Sequence, residues 1–367
     1  MLQCREFNSL GNKVKIVCLL CVFVLCVSAD KSLSIIMAGD ALLHSRVYKD
    51  AAFKDKNSST GLSYDFSKTL AYLKPIIADY DLAFYNQESI LAGKEFGLSS
   101  YPNFNAPQEF GTQMLQLGFN LVSLANNHTL DRGEAAVLAS LKFWQAQKDV
   151  LSAGSSFSFA DQKRLRIKEI NGIKVGLLAY TYGVNGHFLS QEKAYLVDIF
   201  DKKRAKEDIK RLKKEADLIL VSMHWGVEYA FEPNEEQKKL ASFLAKQGVH
   251  IIIGNHSHFI SPIEFIDDTL VIYSLGNFIS SQIGLNRRVG SLVGVKLSLD
   301  EKGRVRFEDV GFELIFTYHD ENFKNFKLYP FSLLDNSVLA NHKQIRLEFE
   351  KIIQSKDKSI KAGLPKF

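Results

Sequence analysis

Two histidines separated by a single residue, His256 and His258, come directly after the apolar run 249–253. A third histidine, His224, comes directly after the apolar run 218–223. Neutral imidazole is the commonest metal ligand in proteins, and histidines at the end of a strand can reach one ion or two neighbouring ions. The residue types and their spacing therefore predict a metal site.

Ligand-type side chains follow apolar runs at five places along the chain. These segments are Gly39-Asp40, Asn86-Gln87-Glu88, Asn126-Asn127-His128, His224-Trp225-Gly226 and His256-Ser257-His258. In open α/β sheets, ligands bind at the carboxyl ends of the strands, so the five ends could converge on one site. Alone, Asp40 could cap a helix that begins near Ala41, and Asn126-Asn127 could be turn residues. The joint pattern favours a site, because four of the nine histidines occupy this kind of position.

The elements that must position these residues are apolar runs that alternate with helical patterns. Strands are expected at 33–38, 82–85, 121–125, 175–180, 218–223, 249–253 and 270–273. Helices are expected at 134–147, 199–215 and 234–247. Continuously apolar strands indicate sheets covered on both faces, and Asn171-Gly172 predicts a hairpin between 164–170 and 174–180. The predicted fold class is α/β, of the α+β type, with mixed β-sheets stacked as a sandwich and flanked by helices.

The pattern changes after residue 290. Segments 291–299 and 304–313, joined through Asp300-Glu301-Lys302-Gly303, predict a closing hairpin that completes a sheet. Residues 321–367 are expected to form a C-terminal extension that packs on the main domain, residues 30–320, through a helix over 341–355. The alternative for this helix is a partner-binding role.

Residues 1–29 have the features of a secretory signal peptide. Lys13 and Lys15 precede an apolar run over 16–27, and the run ends at Val27-Ser28-Ala29. An uncleaved membrane anchor is the alternative, although the run is short for crossing a bilayer. All four cysteines lie in this segment, so the exported chain would have neither disulfides nor thiolate ligands. We therefore expect an exported protein, in the periplasm or at the cell surface.

The overall composition is that of an ordinary globular protein, with 46% hydrophobic and 24% charged residues. The net charge of +5 falls to +3 without residues 1–29, which hold Arg5, Lys13 and Lys15 against Glu6. Such a small surplus, without a basic stripe, predicts that nucleic acid is not a partner.

The same segments, taken in order with their neighbours, resemble a known family. The motifs are Gly39-Asp40, Asn86 with Glu88, Asn126-Asn127-His128-Thr129-Leu130-Asp131 with Gly133, His224-Trp225-Gly226 with Glu228-Tyr229, Pro233 with Gln237, Gly254 with His256 and His258, and Ser274-Leu275-Gly276-Asn277-Phe278. In this order they resemble the bacterial capsule synthesis family of CapA (PGA_cap), which is associated with poly-γ-glutamate synthesis. The resemblance implies the calcineurin-like metallophosphoesterase fold, a four-layer sandwich.

The resemblance also implies two divalent metal ions, Mn, Fe or Zn, and a role for each matching residue. The implied metal ligands are Asp40, Glu88, Asn127, His224, His256 and His258. Asp40 and His258 would bind the first ion, and Glu88 stands at the position of a bridging carboxylate. Asn127, His224 and His256 would bind the second ion. His128 occupies the position of the catalytic histidine that protonates a leaving group, and it acts together with the metal ligand Asp40.

This sequence departs from the phosphoesterase pattern at Leu42, where a histidine ligand is expected. His44, four residues after Asp40, would share a helical face with Asp40 if the chain from Ala41 onward were helical. His44 is therefore considered as a replacement metal ligand or as a substrate-facing residue. Four further residues are candidates for the wall of the pocket: Trp225, Glu228, Tyr229 and Asn277.

The predicted function is that of an exported metal-dependent hydrolase-like protein in capsule or poly-γ-glutamate metabolism. A hydroxide held by the metals would be the nucleophile and His128 the general acid. The substrate would be an anionic polymer or a phosphoester, and membrane-bound capsule synthesis proteins are candidate partners. Two alternatives stay open: a non-catalytic, membrane-associated subunit that binds and exports an anionic polymer, and a γ-glutamyl amide hydrolase or transferase.

Overall fold

The computed structural model describes residues 31–366, and the predicted signal peptide lies outside this range. Seventeen strands are described: β1 (Ser32–Ala41), β2 (Ala52–Lys54), β3 (Leu62–Tyr64), β4 (Leu82–Asn86), β5 (Leu121–Ser123), β6 (Leu151–Ala153), β7 (Ile167–Ile170), β8 (Ile173–Thr181), β9 (Leu218–His224), β10 (Ile251–Asn255), β11 (Ile263–Ile266), β12 (Thr269–Ile272), β13 (Asn277–Ile279), β14 (Val289–Leu299), β15 (Val305–Tyr318), β16 (Lys327–Pro330) and β17 (Lys361–Ala362).

Ten α-helices lie between these strands: α1 (Ser45–Asp50), α2 (Ser67–Leu70), α3 (Lys74–Ile77), α4 (Gln108–Leu117), α5 (Gly133–Ala146), α6 (Phe159–Gln162), α7 (Lys202–Leu212), α8 (Glu235–Gln247), α9 (Leu285–Arg288) and α10 (His342–Ile353). Within residues 31–366, none of the helices combines the length and hydrophobicity that a bilayer crossing requires.

The strands form two large mixed sheets and one small hairpin. The first sheet has the order β16-β15-β14-β1-β4-β5-β6, with β13 beside β1 and β17 beside β15. The second has the order β11-β12-β10-β9-β8-β7, and β2 pairs with β3 alone. The central strands β1, β4, β5 and β6 run parallel in the first sheet, and β8, β9, β10 and β12 run parallel in the second.

Alternate side chains of the central strands enter different apolar clusters, because neighbouring residues of a strand point to opposite faces. In β1, Ile35 and Met37 lie between the two sheets, whereas Ile36 and Ala38 pack beneath α4 and α5. A third cluster lies between the second sheet and helices α7 and α8. The layers are thus helix, sheet, sheet and helix, which confirms the predicted sandwich of mixed sheets flanked by helices.

Both predicted hairpins are present. β7 and β8 are antiparallel and joined at Asn171-Gly172, and the turn residue Asn171 has a positive φ of 52°. β14 and β15 are antiparallel, and β14 also pairs with β1, so this hairpin completes the first sheet as predicted.

The chain after residue 320 contributes to the same sheet. β16 and β17 both pair with β15, and α10 places Phe349 and Ile353 in the cluster between the sheets. The helix predicted at 341–355 therefore exists, and its apolar side is packed against the core.

The alternative in which Asp40 caps a helix is wrong. No helix begins near Ala41, because Asp40 and Ala41 continue β1 and helix α1 begins at Ser45. Asp40 pairs with Asn86 on one side and with Asn277 on the other. The strand extends to Ala41 because the neighbouring strands β4 and β13 supply hydrogen-bonding partners. Local secondary-structure propensity does not include such partners.

Candidate metal centre

The register of the two sheets brings the ends of six strands to one edge. In the first sheet, Asp40 lies beside Asn86, and Asn86 lies beside Ser123. In the second sheet, His224 lies between Thr181 and Asn255. Because these strands are parallel to their neighbours, all of the residues stand at carboxyl ends, where α/β proteins place their ligands.

Short loops then carry the remaining candidates over this edge. Glu88 follows β4 by two residues, and Asn127 and His128 follow β5 in the segment that leads to α5. His256 and His258 follow β10 and have positive φ angles of 95° and 58°. A positive φ is uncommon for residues other than glycine, and such backbone strain clusters at functional sites.

Asp40, Glu88 and His258 form the first group of ligand-type atoms. These three residues are buried, and their ligand atoms all lie within 4.8 Å of one another. His258 Nδ1 is 3.3 Å from Asp40 Oδ2 and 3.8 Å from Glu88 Oε2. This group matches the residues that the resemblance assigns to the first metal, together with the bridging carboxylate.

Glu88, His224 and His256 form the second group, whose ligand atoms also lie within 4.8 Å of one another. His224 Nε2 is 2.8 Å from Asn127 Oδ1, 3.2 Å from His256 Nδ1 and 3.5 Å from Glu88 Oε1. Three potential donor atoms therefore surround His224 Nε2. Glu88 belongs to both groups and stands between them, which is where a bridging ligand must be.

The electrostatics of Glu88 fit a cation. The residue is fully buried, and neither carboxylate oxygen has a hydrogen-bond partner in the described part of the chain. Burial, followed by the nearby Asp40 carboxylate, raises the pKa of Glu88 well above its usual value. Two buried carboxylates side by side are costly unless positive charge compensates them, and divalent ions would provide that charge.

The histidines of the second group are held in the form that binds metals. Burial, followed by the neighbouring His256, lowers the pKa of His224 well below its usual value. Burial, followed by His258, lowers the pKa of His256 to about 4. Both rings are therefore neutral at physiological pH, and neutral imidazole is the metal-binding form. The donor set of carboxylate, carboxamide and imidazole fits Mn, Fe or Zn.

His128 forms a pair with Asp131 that sequence reasoning missed. His128 Nδ1 is 2.7 Å from Asp131 Oδ2, and the Asp131 side chain is fully buried. The same oxygen accepts a hydrogen bond from the amide of Phe104 at 2.6 Å. In the sequence, Asp131 is a motif residue without an assigned role, whereas its contacts make it the residue that orients His128. The available signal was the spacing of three residues between a histidine and an acid.

Two asparagines also orient the cluster. Asn86 Nδ2 donates to Asp40 Oδ1 at 2.8 Å and lies 3.3 Å from His224 Nδ1, so it connects the two sheets. Asn277 Oδ1 is 3.0 Å from His258 Nδ1. Asn277 was predicted in the pocket wall, and the structure places it in direct contact with a candidate ligand.

Of the other residues predicted to line the pocket wall, some lie at the rim of the site and one lies in the core. Tyr229 lies at the rim with its ring centroid 6.0 Å from that of His258, and the exposed Glu228 precedes it. Trp225 is only 2% exposed and packs in the cluster beneath α8, where its Nε1 donates to Tyr273 O. Tyr182, which was not predicted, covers the second group with its ring centroid 4.7 Å from that of His256.

His44 does not share a helical face with Asp40, because it is the N-cap of α1 and Asp40 lies in a strand. Its Nδ1 is 3.1 Å from Leu42 O, and its ring contacts Phe104 at a centroid distance of 5.1 Å. Burial, opposed by the bond to Leu42, lowers the pKa of His44 to about 4. The helical argument for His44 is therefore wrong, and its role as a ligand or substrate-facing residue stays a prediction.

The model of the bacterial capsule synthesis protein PGA_cap family matches residues 34–282. This range contains every residue of the two metal-ligand groups. The chain belongs to the PGA_cap family. Among its relatives, the PGA biosynthesis protein CapA of Bacillus subtilis (strain 168) is 33% identical over 193 residues, which are 52% of this chain and 50% of the relative. The capsule biosynthesis protein CapA of Bacillus anthracis is 29% identical over 261 residues, 69% of this chain and 61% of the relative.

The matches thus span less than two thirds of the length of either relative. Among solved structures, Haemophilus influenzae NAD nucleotidase (NadN) aligns with 92% of this chain and 65% of its own, at a TM-score of 0.47 and 16% identity. The calcineurin-like phosphoesterase YfkN from Bacillus subtilis aligns with 88% of this chain and 99% of its own, at a TM-score of 0.45 and 15% identity.

Proposed function

We propose that this PGA_cap family member is an exported, metal-dependent hydrolase that acts on an anionic polymer of the cell surface. Its relatives are named for capsule and PGA biosynthesis, which supports a polymer of that kind as the substrate. Export rests on the signal-like residues 1–29.

The observation that carries the proposal is the pair of buried groups that share Glu88. Asp40 and His258 would hold one ion, and Asn127, His224 and His256 the other. Two divalent ions bound in this way would supply Lewis acidity for the scissile bond and activate water as the nucleophile. A purely structural role does not explain a buried glutamate whose oxygens have no hydrogen-bond partner in the described chain.

His128 is the candidate general acid. Because Asp131 accepts a hydrogen bond from His128 Nδ1–H, the imidazole is held in the orientation that leaves Nε2 to protonate the leaving group. Asp131 also stabilises the positive charge that His128 carries before it gives up a proton. Buried Asn126 donates from Nδ2 to Gln87 O and accepts from the His128 amide, which fixes the loop that carries His128.

The test compares two alanine variants. We expect His256→Ala and His128→Ala to lose turnover, the latter by about 10²- to 10⁴-fold. Only His256→Ala should lose bound metal, because His128 is a proton donor and not a ligand. His342→Ala, in the distant helix α10, is the control and should keep both metal and turnover.

The substrate panel contains phosphodiesters and γ-linked glutamate oligomers, so that the product identifies a phosphoesterase or a γ-glutamyl amide hydrolase. Full turnover in both active-centre variants contradicts the mechanism. Absence of turnover on the whole panel by the metal-loaded protein, with polymer binding retained, favours the non-catalytic accessory function.

A further inference from the structure

A single arginine stands at the rim of the metal centre without an acidic partner. Arg287, in α9, holds its guanidinium carbon 4.0 Å from the centroid of the Tyr229 ring. Among residues 31–366 no carboxylate lies within ion-pair distance of Arg287. Its Nη1 donates to Ile283 O, and its buried Nε has no partner in the described chain. Part of the guanidinium therefore stays available for another acceptor.

The position of Arg287 is fixed to the metal centre through two contacts. Asn277 Oδ1 lies 3.0 Å from His258 Nδ1, and Asn277 Nδ2 donates to Arg287 O at 2.8 Å. Tyr229, on which the guanidinium lies, is itself 6.0 Å from the ring of His258. Gln282 closes the network, because it accepts from Asn277 and donates to the Tyr229 hydroxyl. Arg287 is thus held beside the centre.

Stacking on an aromatic ring holds a guanidinium in place while leaving its edge free for hydrogen bonds. A planar guanidinium matches a carboxylate or a phosphate, with which it forms paired, charge-assisted hydrogen bonds. Two other arginines of the chain stack in the same way: the guanidinium carbon of Arg288 lies 4.4 Å from the centroid of the Phe316 ring, and that of Arg46 lies 3.6 Å from the centroid of the Phe323 ring.

We propose that Arg287 forms an anion-binding subsite beside the metal centre, which recognises a negative group of the substrate next to the reacting bond. The inference rests on the proposed function and identifies its specificity-determining residue. A polymer with a carboxylate on every unit presents such a group on each side of any bond that is cleaved. Glu228 is the opposing charge at this rim, and its removal should strengthen the subsite.

The test measures binding and turnover separately. Calorimetry measures the binding of a γ-linked glutamate pentamer to the metal-loaded protein. Parallel titrations use the same pentamer with neutral α-carboxamides and, separately, tripolyphosphate. We expect Arg287→Gln to weaken binding of the carboxylate pentamer about 10- to 100-fold, the range for a lost charge-assisted hydrogen bond. Glu228→Gln should strengthen it, and Arg287→Lys should restore part of the affinity. Arg306→Gln, near the start of β15, is the control and should change neither binding nor turnover.

In turnover, Arg287→Gln should lower the ratio of kcat/KM for the charged over the neutral substrate by a similar factor. If Arg287→Gln lowers kcat/KM equally for both substrates, the proposed subsite is wrong, whereas the proposed hydrolase activity still stands. If the protein binds the pentamer in a manner that depends on Arg287 but does not turn it over, the subsite is supported and the proposed hydrolase activity is wrong. Failure of the unmodified protein to bind the pentamer overturns the subsite, and preference for tripolyphosphate over the pentamer assigns it to phosphate.

Discussion

At the scale of single residues, Glu88 determines the character of the site. It is the member that the two ligand groups share, and burial beside Asp40 raises its pKa. A buried carboxylate in this state is either protonated or neutralised by positive charge. His224 and His256, whose pKa values are lowered by burial, offer neutral nitrogen atoms and no compensating charge, and divalent cations would supply that charge.

The pair formed by His128 and Asp131 gives the first prediction at this scale. Asp131→Asn keeps the size of the side chain but removes the charge that supports a protonated His128. We expect kcat to fall by about 10²-fold or more, with the metal content unchanged. Steady-state kinetics and elemental analysis of the same sample measure the two quantities.

Glu134→Gln is the matched control, since Glu134 is a partly exposed acid in the first turn of α5 that pairs with Lys193 rather than with His128. Asp131→Asn with unaltered kcat, or with lost metal, would show that Asp131 does not act through His128.

The individual ligand candidates could be predicted from the sequence, because each one directly follows an apolar run. Asp131, Asn86 and Tyr182 were not assigned roles in this way. Their functions depend on contacts across loops and between sheets, such as Asn86 with Asp40 and His224. Short polar residues in turns are too common for their sequence positions to reveal such contacts.

At the scale of elements, strand β1 supports the centre because of its close approach to the loop before β13. The Asp40 amide donates to Gly276 O at 3.0 Å. A Cβ atom at Gly39 would lie 1.9 Å from the same oxygen. Only glycine fits between the strand and this carbonyl, so Gly39 determines where Asp40 is placed.

Gly39→Ala is therefore expected to lower the free energy of unfolding by at least about 1–3 kcal/mol, the range for overpacked cores. It should also weaken metal binding, because relief of the clash displaces Asp40. Denaturant titration and metal affinity test both effects. Gly183→Ala is the control: no atom lies within 4 Å of its added Cβ, and its effect should stay within about 0.5 kcal/mol. Equal stability of the two variants would contradict this account of β1.

The order of strands and helices could be predicted from the hydrophobic periodicity of the sequence, but the residue at which β1 ends could not. The residue types at 41–43 are compatible with the end of a strand and with the start of a helix. Pairing of β1 with β4 and β13 decides that the chain stays extended through Ala41. The interpretation of His44 depended on that helix and failed with it. Non-local strand pairing is the physical reason, because it cannot be read from a window of neighbouring residues.

At the scale of the whole molecule, the two sheets lie face to face and each contributes ligands from its edge. Asp40 and Glu88 come from the first sheet, and His224, His256 and His258 from the second. The centre therefore depends on the packing between the sheets, and conditions that loosen this packing separate the ligands.

His250 is expected to make the second sheet sensitive to acid. Its Nδ1 accepts from the amide of Ile219 at 3.0 Å, which joins β9 to the start of β10. Burial, followed by the charge of Lys213, lowers the pKa of His250 to about 4. Because the unfolded chain has the ordinary value near 6.5, the stabilisation is present above pH 6.5 and is lost as the pH falls towards 4.

The loss amounts to about 2 kcal/mol by pH 5, given a pKa of about 4 in the folded and about 6.5 in the unfolded state. His250→Asn keeps an acceptor for Ile219 but cannot be protonated. We expect a smaller difference between the free energies of unfolding at pH 7 and pH 5 in this variant, measured by urea denaturation. The same difference in both proteins would show that His250 does not contribute to acid sensitivity.

The claim on which the proposed function depends is that the cluster around Glu88 holds two divalent ions. Anomalous diffraction from crystals of the metal-loaded protein tests it most directly. The account predicts two peaks about 4 Å apart, one beside Asp40 and His258 and the other beside His224 and His256, with Glu88 touching both. A map without a peak next to Glu88, from crystals that contain the metal at other positions, would contradict it.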